Sequence, residues 1–186
     1  MHPKIPLPTD DELALEDREM LGKLAPLNVF RMVAGAPGAA RPFLQLGGAV
    51  LSGALDPRRR EIAVLRVAHA TGASYERAQH EQLARNAGVT EAEIEAIGTE
   101  EPVADLDEEC NLICRVADEI SRNVRLSDEA LASIIDRYGA REAAELILLV
   151  SYYNMVSRFL ESTRVELEDE PLLEGQAPGL GLRRLG

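Results

Sequence analysis

The stretch Asp56 to Glu93, DPRRREIAVLRVAHATGASYERAQHEQLARNAGVTEAE, decides the fold. Asp56 can accept hydrogen bonds from the free N–H groups at a helix start. Pro57, at the first helical position, gives up nothing, because that N–H would be unpaired anyway. Apolar residues then recur at Ile62, Leu65, Val67, Ala68 and Ala70, the spacing of a mostly buried helix. Thr71-Gly72-Ala73 breaks it, and Ser74 is expected to cap a second helix. Gly88 closes that helix, and Thr90 with Glu93 has the spacing of a capping box for a third.

The rest of the chain reads as helices too. Residues 1–8 hold three prolines and are expected to form an extended arm. Thr9 or Asp10 can cap a polar helix from Asp11 to Leu21. A short helix is expected around Val29 to Val33, and another from Ala39 to Leu51 with Phe43, Leu44, Leu46, Val50 and Leu51 on its buried face. Beyond the quoted stretch, helices are expected over Glu91 to Ile97 and Leu106 to Val124. Ser127 should cap one that runs to Tyr138 and ends at Gly139. Arg141 to Thr163 is apolar on nearly every side, which predicts a central helix or one buried between subunits. There is no internal repeat and no convincing strand alternation, so the expected class is all-α. The tail from Glu166 onward is rich in Gly, Pro and charge and is expected to be extended.

Composition narrows the function. Hydrophobic residues make up 46% of the 186 residues, enough for a core, but aromatics are 4% and Trp is absent. The core must therefore be built from Ala, Leu, Ile and Val, which suits close-packed helices. A net charge of −12 weighs against DNA, RNA or an anionic membrane as partner. Arg58-Arg59-Arg60 is the densest basic run before the tail and reads as a solvated first helical turn. No run of about 20 apolar residues predicts a membrane span. The N-terminal text has no signal-peptide core, so a cytoplasmic location is expected. Cys110 and Cys114, four apart in a predicted helix, are awkwardly placed for a disulfide and too few for a metal site. They read as packing residues.

The ionisable residues that could carry chemistry are Glu61, Glu76 and His80. Glu76 and His80 are four apart and share a helix face. A short turn at Gly72 can bring Glu61 across from His80, and a carboxylate beside an imidazole makes it a better base. On spacing alone the commoner situation is the bland one, solvated glutamates and a surface histidine. A metal pair at Glu76 and His80, with Glu61 as third ligand, is a weaker alternative. His69, about two turns after Glu61, could share its face or be a satisfied structural histidine. Arg66 could grip a substrate carboxylate or brace an acidic helix. Tyr152, Tyr153, Asn154 and Arg158 punctuate the most apolar helix and must find partners there or line a cavity.

The text REIAVLRVAHATGASYERAQH, residues 60–80, resembles the carboxymuconolactone decarboxylase family, which also holds the AhpD-type alkylhydroperoxidases. The AhpD-type pattern is Glu, eleven residues, Cys, two residues, Cys, three residues, His. Glu61 and His80 fall at the Glu and His positions, Ala73 and Glu76 where the two cysteines would be. The Arg-Glu start, the Leu-Arg pair and the Tyr-Glu before the His resemble the family as well. The resemblance implies an AhpD-like helical bundle, assembled as a dimer, trimer or hexamer, with no cofactor and no metal. It implies an N-terminal arm and first helix over 1–24, the family domain over 25–165 and an extended tail over 166–186. It also places the late helix near the site, which adds Tyr153 and Arg158 as substrate-binding candidates beside Arg66 and His69.

The departure from the pattern bears on the reaction. Peroxide reduction of the AhpD type needs an attacking thiolate and a resolving thiol, and Ala73 and Glu76 can be neither. The resemblance therefore points to acid–base chemistry, a decarboxylation or related lyase or isomerase reaction, on a small carboxylated or lactone substrate. His80, Glu61 and Glu76 would be its catalytic residues. The alternatives are a non-catalytic helical oligomer that binds a small molecule or a partner, and a peroxidase-like member with altered chemistry.

Overall fold

A computed structural model describes residues 3–168, so the tail expected to be extended lies mostly outside the described residues. Within them there are eight α-helices and no strand: α1 Leu15–Leu21, α2 Asn28–Ala34, α3 Ala40–Leu51, α4 Pro57–Thr71, α5 Ser74–Asn86, α6 Glu91–Thr99, α7 Glu108–Asn123 and α8 Asp128–Thr163. The chain is all-α, as its composition implies. None of these helices is long and apolar enough to cross a membrane. The contacts divide the described residues into two compact units, one of residues 3–52 and 160–168 and the other Gly53–Phe159.

In the first unit, Thr9 forms a capping box with Glu12, but the turn it starts is a short 3-10 turn, Asp10–Glu12. The single helix expected from Asp11 to Leu21 is broken because Leu13 turns extended and buries its side chain. Helix α2 packs against α1 and α3, and Met20, Val29, Phe30, Val33 and Leu44 of these helices are buried. Ile5 N–H donates to Thr163 O at 3.1 Å, which ties the N-terminal arm to the end of α8.

The second unit is organised around α4, which packs on α5, α6 and α7. Every residue of α4 from Arg60 to Ala68 is buried. Its start is fixed twice. Asp56 accepts from Arg58 N and Arg59 N at 2.9 and 3.3 Å, and Glu145 accepts from Ala54 N and Leu55 N at 2.8 and 3.1 Å. Gly72 ends α4 in the left-handed region (φ 69°), where a side chain would be strained. The cap of α5 is Ala73, not Ser74, which is the first helical residue. The reversal at Gly72 needs only one extended residue before the next helix, and Ala73 supplies it while its N–H bonds Ala68 O at 2.8 Å. Thr90 and Glu93 form the expected capping box. Helix α7 starts at Glu108 because Asp107 accepts from Cys110 N at 2.8 Å, later than the expected Leu106. Gly139 interrupts α8 with φ 75° and ψ 163°, a conformation essentially reserved for glycine.

Candidate active site

Glu61 lies in the second turn of α4 and His80 in the second turn of α5. The reversal at Gly72 and Ala73 folds α5 back along α4, and the two side chains reach each other across the packed pair. His80 Nδ1 and Glu61 Oε2 are 2.7 Å apart, inside a region where Glu61 is 2% and His80 5% exposed. The other Glu61 oxygen accepts from Arg60 Nε at 3.1 Å. Glu76, one turn before His80, places Oε2 3.5 Å from His80 Nε2. The Tyr153 ring meets the His80 ring edge-on, with centroids 5.0 Å apart, and Tyr152 meets Tyr153 the same way at 5.4 Å. The structure thus brings together four of the residues singled out in the sequence: Glu61, Glu76, His80 and Tyr153.

The charges in this cluster are set by competition between burial and neighbours. For Glu61, burial works to raise its pKa. The charge and hydrogen bond of His80, then those of Arg60, outweigh it and leave the carboxyl below its ordinary value. For His80, burial works downward, but the charge and hydrogen bond of Glu61 and the charge of Glu76 raise it overall. With Glu61 accepting at Nδ1–H, the exchangeable nitrogen is Nε2, the one that faces Glu76. Glu76 is raised by burial first; His80 opposes this and Glu61 reinforces it. Burial and the charges of Glu76 and Glu61 push the Tyr153 hydroxyl well above the ordinary tyrosine value. A carboxylate, an imidazole that holds its proton and a second carboxyl driven towards its neutral form make a set suited to moving protons.

The other candidate residues are placed elsewhere. Arg66 is fully buried, but its guanidinium donates to both oxygens of Asp118 at 2.8 Å and to Ile97 O and Glu100 O at 2.9 and 2.8 Å. With its donors so committed it braces α4 against α6 and α7, the second of the two roles its sequence position allowed. His69 turns to Glu101 at 2.7 Å and not to Glu61. Arg158 bonds Asn154 O and Ser121 O at 3.1 and 3.0 Å and also the Asn154 side chain, which ties α8 to α7. A groove of about 750 Å³ lies by the Glu101–Asp118–Arg122 network, and none of its lining residues belongs to the Glu61–His80 cluster.

The basic run is not a solvated turn. Arg58 pairs with Glu93, Arg59 pairs with Glu109 and Glu142 and stacks 4.7 Å over the Tyr138 ring, and Arg60 is buried against Glu61. Arg60 is the cluster residue that sequence reasoning passed over, while Tyr152 was named on its helix without a role at the site. For Arg60 the available signal was its position directly before Glu61 in the family-like text. Glu93, Asp107 and Cys110 converge within metal-ligating distance of one another, but the Arg58 guanidinium sits among them and supplies the cation. Burial pushes the Cys110 thiol to about 11 and the Cys114 thiol to about 12, so neither is disposed to act as a thiolate.

No curated protein matches the sequence. The sequence model of the Carboxymuconolactone decarboxylase family matches residues 37–119, which include Glu61, Glu76 and His80. Among solved structures, the fold is similar to a crystal structure described as an alkylhydroperoxidase AhpD core, an uncharacterized peroxidase-related protein from Ralstonia eutropha JMP134. The TM-score is 0.77 at 18% identity, over 96% of this chain and 100% of that one. Residues 37–119 of this protein thus match the model of the carboxymuconolactone decarboxylase family, and the chain carries an AhpD-like fold.

Proposed function

We propose that the protein is an acid–base enzyme acting on a small carboxylated or lactone substrate, by decarboxylation or a related lyase or isomerase reaction. The observation that carries this reading is the buried 2.7 Å contact between His80 Nδ1 and Glu61 Oε2. It orients the imidazole, favours its protonated form and leaves Nε2 as the position that exchanges a proton with substrate. In a decarboxylation the bond between the carboxylate carbon and its neighbour breaks. Carbon dioxide leaves, and the electron pair is taken up by a carbonyl conjugated to the new carbanion. His80 then gives its Nε2 proton to that carbon and recovers one from solvent. Glu61 remains ionised throughout and compensates the imidazolium.

The similar structure from Ralstonia eutropha JMP134 is described as peroxidase-related. Thiol-based peroxide reduction is a poor fit to this chain, because alanine and glutamate occupy the two positions that would have to be cysteines. The test is a panel of β-keto acids and lactones assayed for carbon dioxide release. Substitution of His80→Ala should lower turnover by about 10²–10⁴-fold with the helical circular-dichroism spectrum intact. Glu61→Gln should cost less, because a neutral hydrogen-bonding partner remains. Turnover that survives His80→Ala would overturn the reading.

A further inference from the structure

Two groups in the cluster are left without work by that mechanism. The Glu76 carboxyl has its only described neighbour of opposite charge in His80 Nε2, and at 3.5 Å that contact is not a hydrogen bond. Among the described residues the Tyr153 hydroxyl has no hydrogen-bond partner either. Both residues are more than nine-tenths buried, at 4% and 5% exposure. A desolvated, unpartnered polar group costs about 1–3 kcal/mol, so the Tyr153 hydroxyl, with a Glu76 carboxyl held only by a long ion-pair contact at the same imidazole, calls for a ligand. Neither is sealed as Asn111 Oδ1 and Ser157 Oγ are, the atoms that are both buried and without a partner. Both residues lie against the His80 ring, Glu76 Oε2 3.5 Å from Nε2 and the Tyr153 ring edge-on with centroids 5.0 Å apart.

We propose that the Tyr153 hydroxyl and the Glu76 carboxyl form a two-donor site for an oxyanion, the enolate oxygen of a carbonyl substrate, beside the proton carried on His80 Nε2. This rests on the acid–base reading above and gives it a substrate class: a carboxylic acid whose carbonyl can take up the electron pair, as in a β-keto acid. The directions of the shifts fit donors. Burial holds Tyr153 as a neutral phenol, and burial together with Glu61 favours the neutral form of Glu76. A buried phenol and a buried neutral carboxylic acid are an effective pair for an oxyanion, because each gives a hydrogen bond that strengthens as charge develops on the acceptor. As the carbon–carbon bond breaks, the pair of electrons moves onto the carbonyl oxygen between these two O–H groups. Neither donor loses its proton. The proton that completes the reaction comes from His80 and goes to carbon.

Phenolates carry the same charged oxygen on an sp² carbon and serve as the probe. The whole protein is titrated with 4-nitrophenol in buffer below that phenol's own pKa, and the visible band of the anion is followed. The expected result is that the bound species is the phenolate. Tyr153→Phe and Glu76→Leu, each shown to be folded by circular dichroism, should weaken its binding by about tenfold, the loss of one hydrogen bond to a charged group. Binding as the neutral phenol, no binding, or equal affinity in both folded variants would overturn the proposal. If a variant does not fold, the wild-type spectrum decides: a bound anion upholds the site and its absence refutes it. The two readings fail separately. Turnover that depends on His80 without phenolate binding would leave the acid–base reading and remove the oxyanion site. Phenolate binding without turnover of any keto acid or lactone would do the reverse.

Discussion

Glu76 shows how one residue couples the site to stability. Its carboxyl is raised above the ordinary 4.5, by burial first and by Glu61 second. The folded chain therefore holds this proton more tightly than the unfolded chain. Its contribution to stability is complete below 4.5 and is lost as pH rises through the folded value. Glu76→Gln removes that loss. Thermal melts across pH should give a variant that matches wild type below 4.5 and melts higher than wild type as the pH rises. A variant that melts lower than wild type at neutral and alkaline pH would show that the ionised carboxylate is favoured by His80 more than burial disfavours it.

Among the elements, the ends of the helices carry the clearest test. Helix α7 ends on Val124, a β-branched residue in the left-handed region (φ 69°) with its side chain 88% exposed. The Val124 N–H bonds Ile120 O at 3.2 Å, so the left-handed cap closes the helix. The side chain buries almost nothing to offset the strain, which is roughly 1–2 kcal/mol for a residue other than glycine. Val124→Gly should raise stability by about 1 kcal/mol after the greater chain entropy of glycine is counted. In urea the midpoint should move up with the slope unchanged. A lower midpoint would mean that the valine is held by packing that its exposure does not reveal.

At the scale of the molecule the open question is assembly. The helix over 141–163 does bury much of its surface, but α8 also leaves Leu131, Ile135, Leu148 and Met155 between 38% and 48% exposed. Leu148 and Met155 are two turns apart and lie along one line of the helix. We predict that the protein is a homo-oligomer that covers this line. Light scattering at micromolar concentration should give a multiple of the chain mass, and Leu148→Glu with Met155→Glu should reduce it. A stable monomer in the unsubstituted protein would refute this.

The helix starts and stops were legible because their signals act within a turn. The Asp56 cap, the Gly72 reversal, the Thr90–Glu93 box and the Gly139 break each depend on neighbouring residues and little else. The Glu61–His80 pair was within reach because a two-residue turn folds α5 back along α4, which brings the two residues within side-chain reach of one another. The family-like text around them pointed to the same two residues. The arginines and His69 were another matter. A residue-by-residue reading assigns arginine to solvent, and here α4 is covered along its length from Arg60 to Ala68. Which acid each cation takes was decided by packing. Arg66 pairs with Asp118 of α7, His69 with Glu101 of the connection before it, and Arg59 with Glu109 and Glu142 from two helices. These partners lie 32 to 83 residues away in sequence. Sequence alone left many acids available to each cation; close packing of α5, α6 and α7 on α4, with Glu142 of α8 reaching Arg59, removed the choice.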